Sequence, residues 1–270
     1  MEDWRIGVMG IFQHSITLTL HQRINTMNGF WTVCKRELQG YFATPVAYVF
    51  LVIFMFFSGY LPFKEKFFEM GRANLELFFN NLPLLFVFMV PSVAMRLWAE
   101  ERRSGSIELL ITLPVTVPQA VVGKFAAAWG FIGIGLLLTF PMPLTVSYLG
   151  NPDAGLIVLG YIGSFLMAGG FLAIGCFFSA ITKSQIISFI LSVVACAVLV
   201  YAGLPSTLNS LAAFLPRGML DAVEAISFQT HLDPMLKGIL DVKDLAYFLI
   251  LIVGWLASCC IILEERKASA

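Results

Sequence analysis

Long apolar runs separated by short clusters of charge dominate the chain. Six runs approach or exceed the roughly 20 residues that a helix needs to cross a bilayer core. They are Pro45–Phe63, Leu77–Leu97, Ala120–Tyr148, Ala154–Ile181, Gln185–Leu204 and Leu245–Leu263. The first is closed by Lys64, Glu65 and Lys66, and the last by Glu264, Glu265, Arg266 and Lys267. The third is over-long and contains Pro141 and Pro143, which predicts a kink or break there. The second is expected to stop at Glu100, because burying Glu100, Glu101, Arg102 and Arg103 in lipid is costly. Ahead of the first span, Phe30, Trp31, Val33, Cys34, Leu38, Tyr41 and Phe42 fall largely on one helical face, and Lys35, Arg36, Glu37 and Gln39 mostly on the other. This pattern predicts an interfacial helix lying flat before Pro45 turns the chain into the membrane. The alternative is a plain N-terminal extension of the first span.

Composition agrees with a membrane protein. Of 270 residues, 59% are hydrophobic and 13% charged, and the mean hydropathy is +0.85; a soluble domain is about 25% charged. The expected class is therefore an all-α membrane protein with six transmembrane helices. Net charge is zero, so the bulk balance predicts no nucleic-acid partner. Position matters more than total. Eleven Lys and Arg residues collect on the side of the N-terminus, the second–third connection, Lys183 and the C-terminal tail, against six on the other side. The first side is expected to be cytoplasmic, which gives a multi-pass protein of the cytoplasmic (inner) membrane with both termini inside. The six-span domain runs over residues 29–263, and residues 264–270 form a cytoplasmic tail. Residues 1–28 read as an extension lacking a signal-peptide pattern; either they lie on the membrane surface or the physiological start is Met27.

The second–third connection carries more than a turn needs. Gly105 suits a left-handed helix stop, Ser106 can cap a new helix, and Glu108 in its first turn suits the dipole. Ile107, Leu109, Leu110 and Leu113 make an apolar surface, Pro114 ends the helix, and Thr116 can cap the third span. The prediction is a short amphipathic cytoplasmic helix. An apolar patch rimmed by charge marks an interface, and the expected partner is a soluble protein docking from the cytoplasm.

Three stretches resemble a known family. "EERRSGSIELLITLPVTVPQAVVGKFAAAW" looks like the span-two to span-three signature of ABC-2 type transporter permeases. "KRELQGYFATPVAYVF" is similar to the family's amphipathic elbow helix, and "GILDVKDLAYF" to the stretch entering the last span. The features are most similar to the gliding-motility-type subfamily, from about Met27 onward. The resemblance implies a dimerising transmembrane subunit that binds two ATP-hydrolysing subunits. It implies a coupling contact formed by Glu101, Arg102, Arg103, Gly105, Ser106, Glu108, Leu109, Leu110 and Pro114, with Trp31, Lys35, Arg36 and Glu37 on the interfacial helix.

Other chemistry is sparse. No phosphate-binding loop of the G-x-x-x-x-G-K-[ST] type occurs, so ATP and magnesium belong to the partner subunit and no cofactor to this chain. No catalytic residue is expected. The three histidines lie far apart without carboxylates at ligand spacing, so no metal is expected. The five cysteines form no CxxC pair and read as packing residues. Arg96 and Lys124 lie near cytoplasmic span ends, where long side chains snorkel to water. With no ionisable residue at mid-membrane depth, drive from outside the membrane is favoured over ion coupling. Ala126 and Gly130, Ser164 and Ala168, and Gly169 and Ala173 have the spacing of close helix packing, within one subunit or at a dimer interface. "RGMLDAVEAIS" in the outer connection has helical spacing and predicts short helices dipping into the outer leaflet. The function expected is a permease that couples a separate subunit's ATP hydrolysis to export of a substrate. Its partners are an ABC ATP-binding subunit, a second permease copy or homologue, membrane lipid and, where present, an extracytoplasmic accessory protein. The alternative is a mechanotransmitter or anchor that passes ATPase-driven motion to such a partner without transport; a polytopic enzyme would need a polar cluster that the spans lack.

Overall fold

The computed structural model describes residues 29–64, 75–105, 116–213 and 216–268, and every regular element in them is helical. Helix α1 covers residues 29–43. It ends where Thr44 Oγ1 donates to the Tyr41 carbonyl and Tyr48 Oη to the Phe42 carbonyl, each at 3.0 Å, so side chains take up the carbonyls the helix leaves open. A bend at Thr44 then leads into α2, Pro45–Lys64, and α1 is a separate element rather than an extension of the first span.

The second span does not stop at Glu100. It consists of α3, Glu76–Ala94, and α4, Arg96–Ser104, which together form one span-length helix interrupted at Met95. The interruption has a visible cause. Ser179 Oγ accepts the N–H groups of Trp98 and Ala99, each at 3.0 Å, and donates to the Met95 carbonyl at 3.0 Å. One hydroxyl thus replaces two rungs of the helix ladder, using its donor and both its acceptor positions. The helix then runs through all four charges to Gly105, whose φ of 73° ends it in the left-handed region. Its end is set by that glycine, and two of the four charges, Glu101 and Arg102, find partners inside the molecule, as described below.

The third span is α5, Val117–Leu138, followed by α6, Pro141–Leu149, with the expected break immediately before Pro141. Gln119 Oε1 accepts from the Thr116 N–H at 3.1 Å, half of a capping box at the start of α5. Helix α7, Ala154–Ile181, opens on Asp153, whose carboxylate accepts the Gly155 N–H at 2.8 Å. It is the central helix and packs against α3, α4, α5, α8, α11 and α12. Small residues permit that crowding: Gly160, Gly163, Ser164, Ala168, Gly169, Gly170, Ala173 and Gly175 are all buried within the chain.

Helix α8, Gln185–Tyr201, ends three residues short of Leu204, and the chain bends by 85° into α9, Pro205–Leu211. Pro205 cannot continue the α8 hydrogen-bond ladder, and Gly203 lies where any Cβ would collide with Ser227. Two further short helices follow, α10 over Arg217–Ile226 and α11 over Phe228–Leu236, before α12, Val242–Ala268. Among the described residues, five helical stretches, α2, α3–α4, α5–α6, α7 and α12, are long and apolar enough to cross a membrane, and the bent α8–α9 pair makes a sixth when counted as one span.

Of the short helices, α11 is anchored by burial. Phe228, Leu232 and Met235 of α11 are fully buried, and His231 Nδ1 lies 2.7 Å from Asp244 Oδ1 while its ring stacks on Tyr247 at 4.0 Å. Asp244→Ala strips a buried partner from His231 and is expected to lower stability by about 1–3 kcal/mol. Asp221→Ala, at an exposed site on α10, should stay within about 0.5 kcal/mol. Thermal unfolding in detergent checks the pair; equal midpoints would show that the α11–α12 anchor contributes nothing.

Candidate functional site

The charged end of the bundle is built around one lysine. Lys124 lies in the third turn of α5 and is 2% exposed, so it does not reach water as a snorkelling side chain would. Its Nζ is 2.7 Å from Glu101 Oε1 on α4 and 3.2 Å from Glu37 Oε1 on α1. Arg36 Nη2 lies 2.9 Å from the same Glu37 oxygen. The order Arg36, Glu37, Lys124, Glu101 alternates in sign and sums to zero, which is what permits a lysine to be buried here. The Trp98 ring lies 5.2 Å from the ammonium and adds a cation–π contact. Burial by itself would raise the Glu37 carboxyl, but Lys124 and Arg36 more than offset it and hold the group below its ordinary value.

Packing carries α1 onto α5 at the same place. Val33, Glu37 and Tyr41 recur every four residues and face inward together. Val33 sits over Gly123, where an added Cβ would be 3.0 Å from Val33 Cγ1. Tyr41 stacks on Phe131 at 5.0 Å, and Phe42 meets the same ring edge-on at 5.7 Å. Glu37, which the amphipathic pattern assigns to the polar face, is thus turned into the bundle. Trp31, Lys35 and Arg36 are exposed.

Helix α4 is held from the other flank by α7. Trp98, only 1% exposed, donates its indole N–H to Cys176 Sγ at 3.2 Å. Arg102 Nη1 donates to the Ala180 carbonyl at 2.7 Å, and Arg266 of α12 donates to the Ile181 carbonyl at 3.1 Å. Two guanidinium groups therefore sit on the last carbonyls of α7, where the helix dipole favours cations. Of the contact residues expected from sequence, Glu101 and Arg102 turn inward onto their own chain, while Arg103 and Gly105 are exposed. Ser106, Glu108, Leu109, Leu110 and Pro114, with the rest of the expected amphipathic helix, lie outside the described residues. The lysine between two carboxylates went unread in the sequence; its one signal was a cation inside an otherwise uncharged span.

At the opposite end, a cavity of about 570 Å³ opens between α9, α10 and α11, lined by Asn209, Glu224, Thr230, Asp233 and Lys237 among others. Burial raises the Asp233 carboxyl, against a hydrogen bond from Gln229 and the charge of Lys237. Among the described residues, no three His, Cys, Asp or Glu side chains cluster to hold a metal ion.

A family model described as ABC-2 family transporter protein matches residues 66–220, more than half of the chain. The matched stretch takes in the charged connection and the spans on both sides of it. No curated protein matches the chain closely enough to count as a relative.

Proposed function

Because this chain belongs to the ABC-2 transporter family, and so is a membrane-spanning permease subunit of an ABC transporter, we propose that a separate ATP-binding subunit drives it from the charged end of the bundle. In this reading the partner carries ATP and magnesium, and its hydrolysis is coupled to export of a substrate across the cytoplasmic membrane. The observation that carries the proposal is the second span itself. Helix α4 runs through its four charges, Glu101 and Arg102 turned inward and Glu100 and Arg103 exposed, to a glycine stop directly before residues 106–114, whose sequence carries Ile107, Leu109, Leu110 and Leu113. A loop built only to turn back would not hold that rigid stem.

The excess of Lys and Arg at this end supports a cytoplasmic placement for it and for both termini. Within the family, the stretches around Lys35–Phe50 and Gly238–Phe248 favour the gliding-motility type. One chain supplies one docking segment, whereas an ATP site in this transporter class forms between two nucleotide-binding subunits. We therefore infer a second copy of this chain or a homologous permease in the working complex.

The test is affinity purification of the full chain from native membranes, with and without Glu108→Arg. An ABC ATPase subunit is expected to co-elute with the parent chain. The variant should retain about a tenth as much, corresponding to a loss of about 1.4 kcal/mol, with its own membrane level unchanged. Equal recovery from both would place docking elsewhere.

A further inference from the structure

We propose that Lys124 is a positioning residue that makes the surface helix α1 move together with α4, so that load applied at the 106–114 connection reaches the first span as well as the second. The inference rests on the functional reading above for its purpose, and on the structure for its mechanics.

Three elements distant in sequence meet at this side chain: α1 through Glu37, α4 through Glu101, and α5, which carries Lys124 itself. The bonds are short, and Lys124 is almost fully withdrawn from solvent, so solvent screening of its attraction is weak. The aromatic contacts of Tyr41 and Phe42 with Phe131 add apolar area at the α1–α5 seam. Between α1 and α4 themselves, the only ionic connection among the described residues is the one through Lys124.

The block has natural edges. Helix α1 leaves it at the Thr44 bend, and α4 leaves it at the Met95 break. Beyond the first edge lies α2, with 22% of its apolar window buried within the chain. The helix that precedes it sets where this span enters the membrane. Without the lysine, Glu37 and Glu101 would repel each other, and α1 would be held to α5 by apolar packing alone, with no ionic tie to α4. With it, α1, α4 and the first turns of α5 form one lever.

Electron–electron double resonance on the full chain in lipid nanodiscs tests this. Spin labels go on Gln39 and Glu100, both exposed, with Cys34 and Cys260 replaced by serine. The variant carries Glu37→Gln, Lys124→Met and Glu101→Gln together, so that no charge is stranded and the fold is retained, as a monodisperse elution profile would verify. The parent should give one narrow distance peak, and the neutral variant should lose it to a broad distribution. An unchanged narrow peak in the variant overturns the clamp. A second label pair, Gln39 and Asn151, follows α1 against the opposite end of the bundle in complex with the ATP-binding subunit. Trapping that subunit with ATP and vanadate should shift this distance in the parent and not in the variant. A shift retained in the variant also overturns the proposal. Should no ATPase associate at all, the functional reading falls, and the clamp stands or falls on the Gln39–Glu100 distance.

Discussion

Lys124→Met is expected to lower the stability of the folded chain by about 3 kcal/mol, because breaking a buried ion pair from one side leaves charge without compensation. Methionine nearly matches the lysine stem in volume, so lost packing contributes little. What is lost is the ammonium between Glu101 and Glu37, at 2.7 and 3.2 Å. Both carboxylates keep about a fifth of their side-chain surface exposed, and Arg36 still neutralises Glu37, which sets the figure at the low end of the usual range. Adding Glu37→Gln and Glu101→Gln to the methionine variant should recover most of the loss, since a neutral, well-filled site avoids the desolvation that ions suffer. Unfolding midpoints of the single and triple variants in detergent decide the matter. A single variant as stable as the parent would mean that the ions are already solvated.

The same cluster fixes a pH dependence. The Glu37 carboxyl is held below its ordinary value of 4.5 by Lys124 and Arg36 acting against burial. A carboxyl depressed in the folded state stabilises it fully above the unfolded value, and that contribution is lost as pH falls through the folded value. Glu37→Gln should therefore flatten the stability profile below about pH 4.5 and lower the plateau above it.

How much of this could be read from sequence differs by the range of the interaction involved. The limits of α7 were legible to the residue because local chemistry sets them: Asp153 caps the start, and the apolar run ends at Thr182. The Gly105 stop and the break before Pro141 were legible for the same reason. The second span passes the stop expected at Glu100 because Ala180 and Lys124 supply partners to Arg102 and Glu101 from 78 and 23 residues away. The Met95 break had no local signal. It is made by Ser179, a residue in another span. The shortfall of α8 at Tyr201 lay within the resolution of an apolar run, although Gly203 and Pro205 mark the bend. In the functional region, the residue types were visible but their partners were not, since Glu37 and Lys124 are 87 positions apart.

Gly175→Ala is expected to be the most damaging small substitution in the membrane region. A Cβ at Gly175 would run into Ala94, whose own Cβ is fixed to the backbone and cannot rotate aside. Relief requires α3 and α7 to separate, and α7 cannot yield alone because α4, α8 and α12 also pack on it. Ser179 lies one turn further along, so separation would also strain its bonds to Met95, Trp98 and Ala99 and unseat α4. Overpacking of a tight core costs about 1–3 kcal/mol, and the upper end applies where backbones themselves must move. Gly175→Leu should prevent a stable fold altogether. Gly130 is the control, since nothing lies within 4 Å of an added Cβ there. Gly130→Ala should gain rather than lose, by up to about 1 kcal/mol from helix propensity. Unfolding midpoints in detergent, measured on both alanine variants at equal protein concentration, separate the two sites. Equal midpoints would mean that α3 and α7 do not meet as closely at Gly175 as this packing requires, and the Ser179 bridge that depends on their contact would have to be redrawn with it.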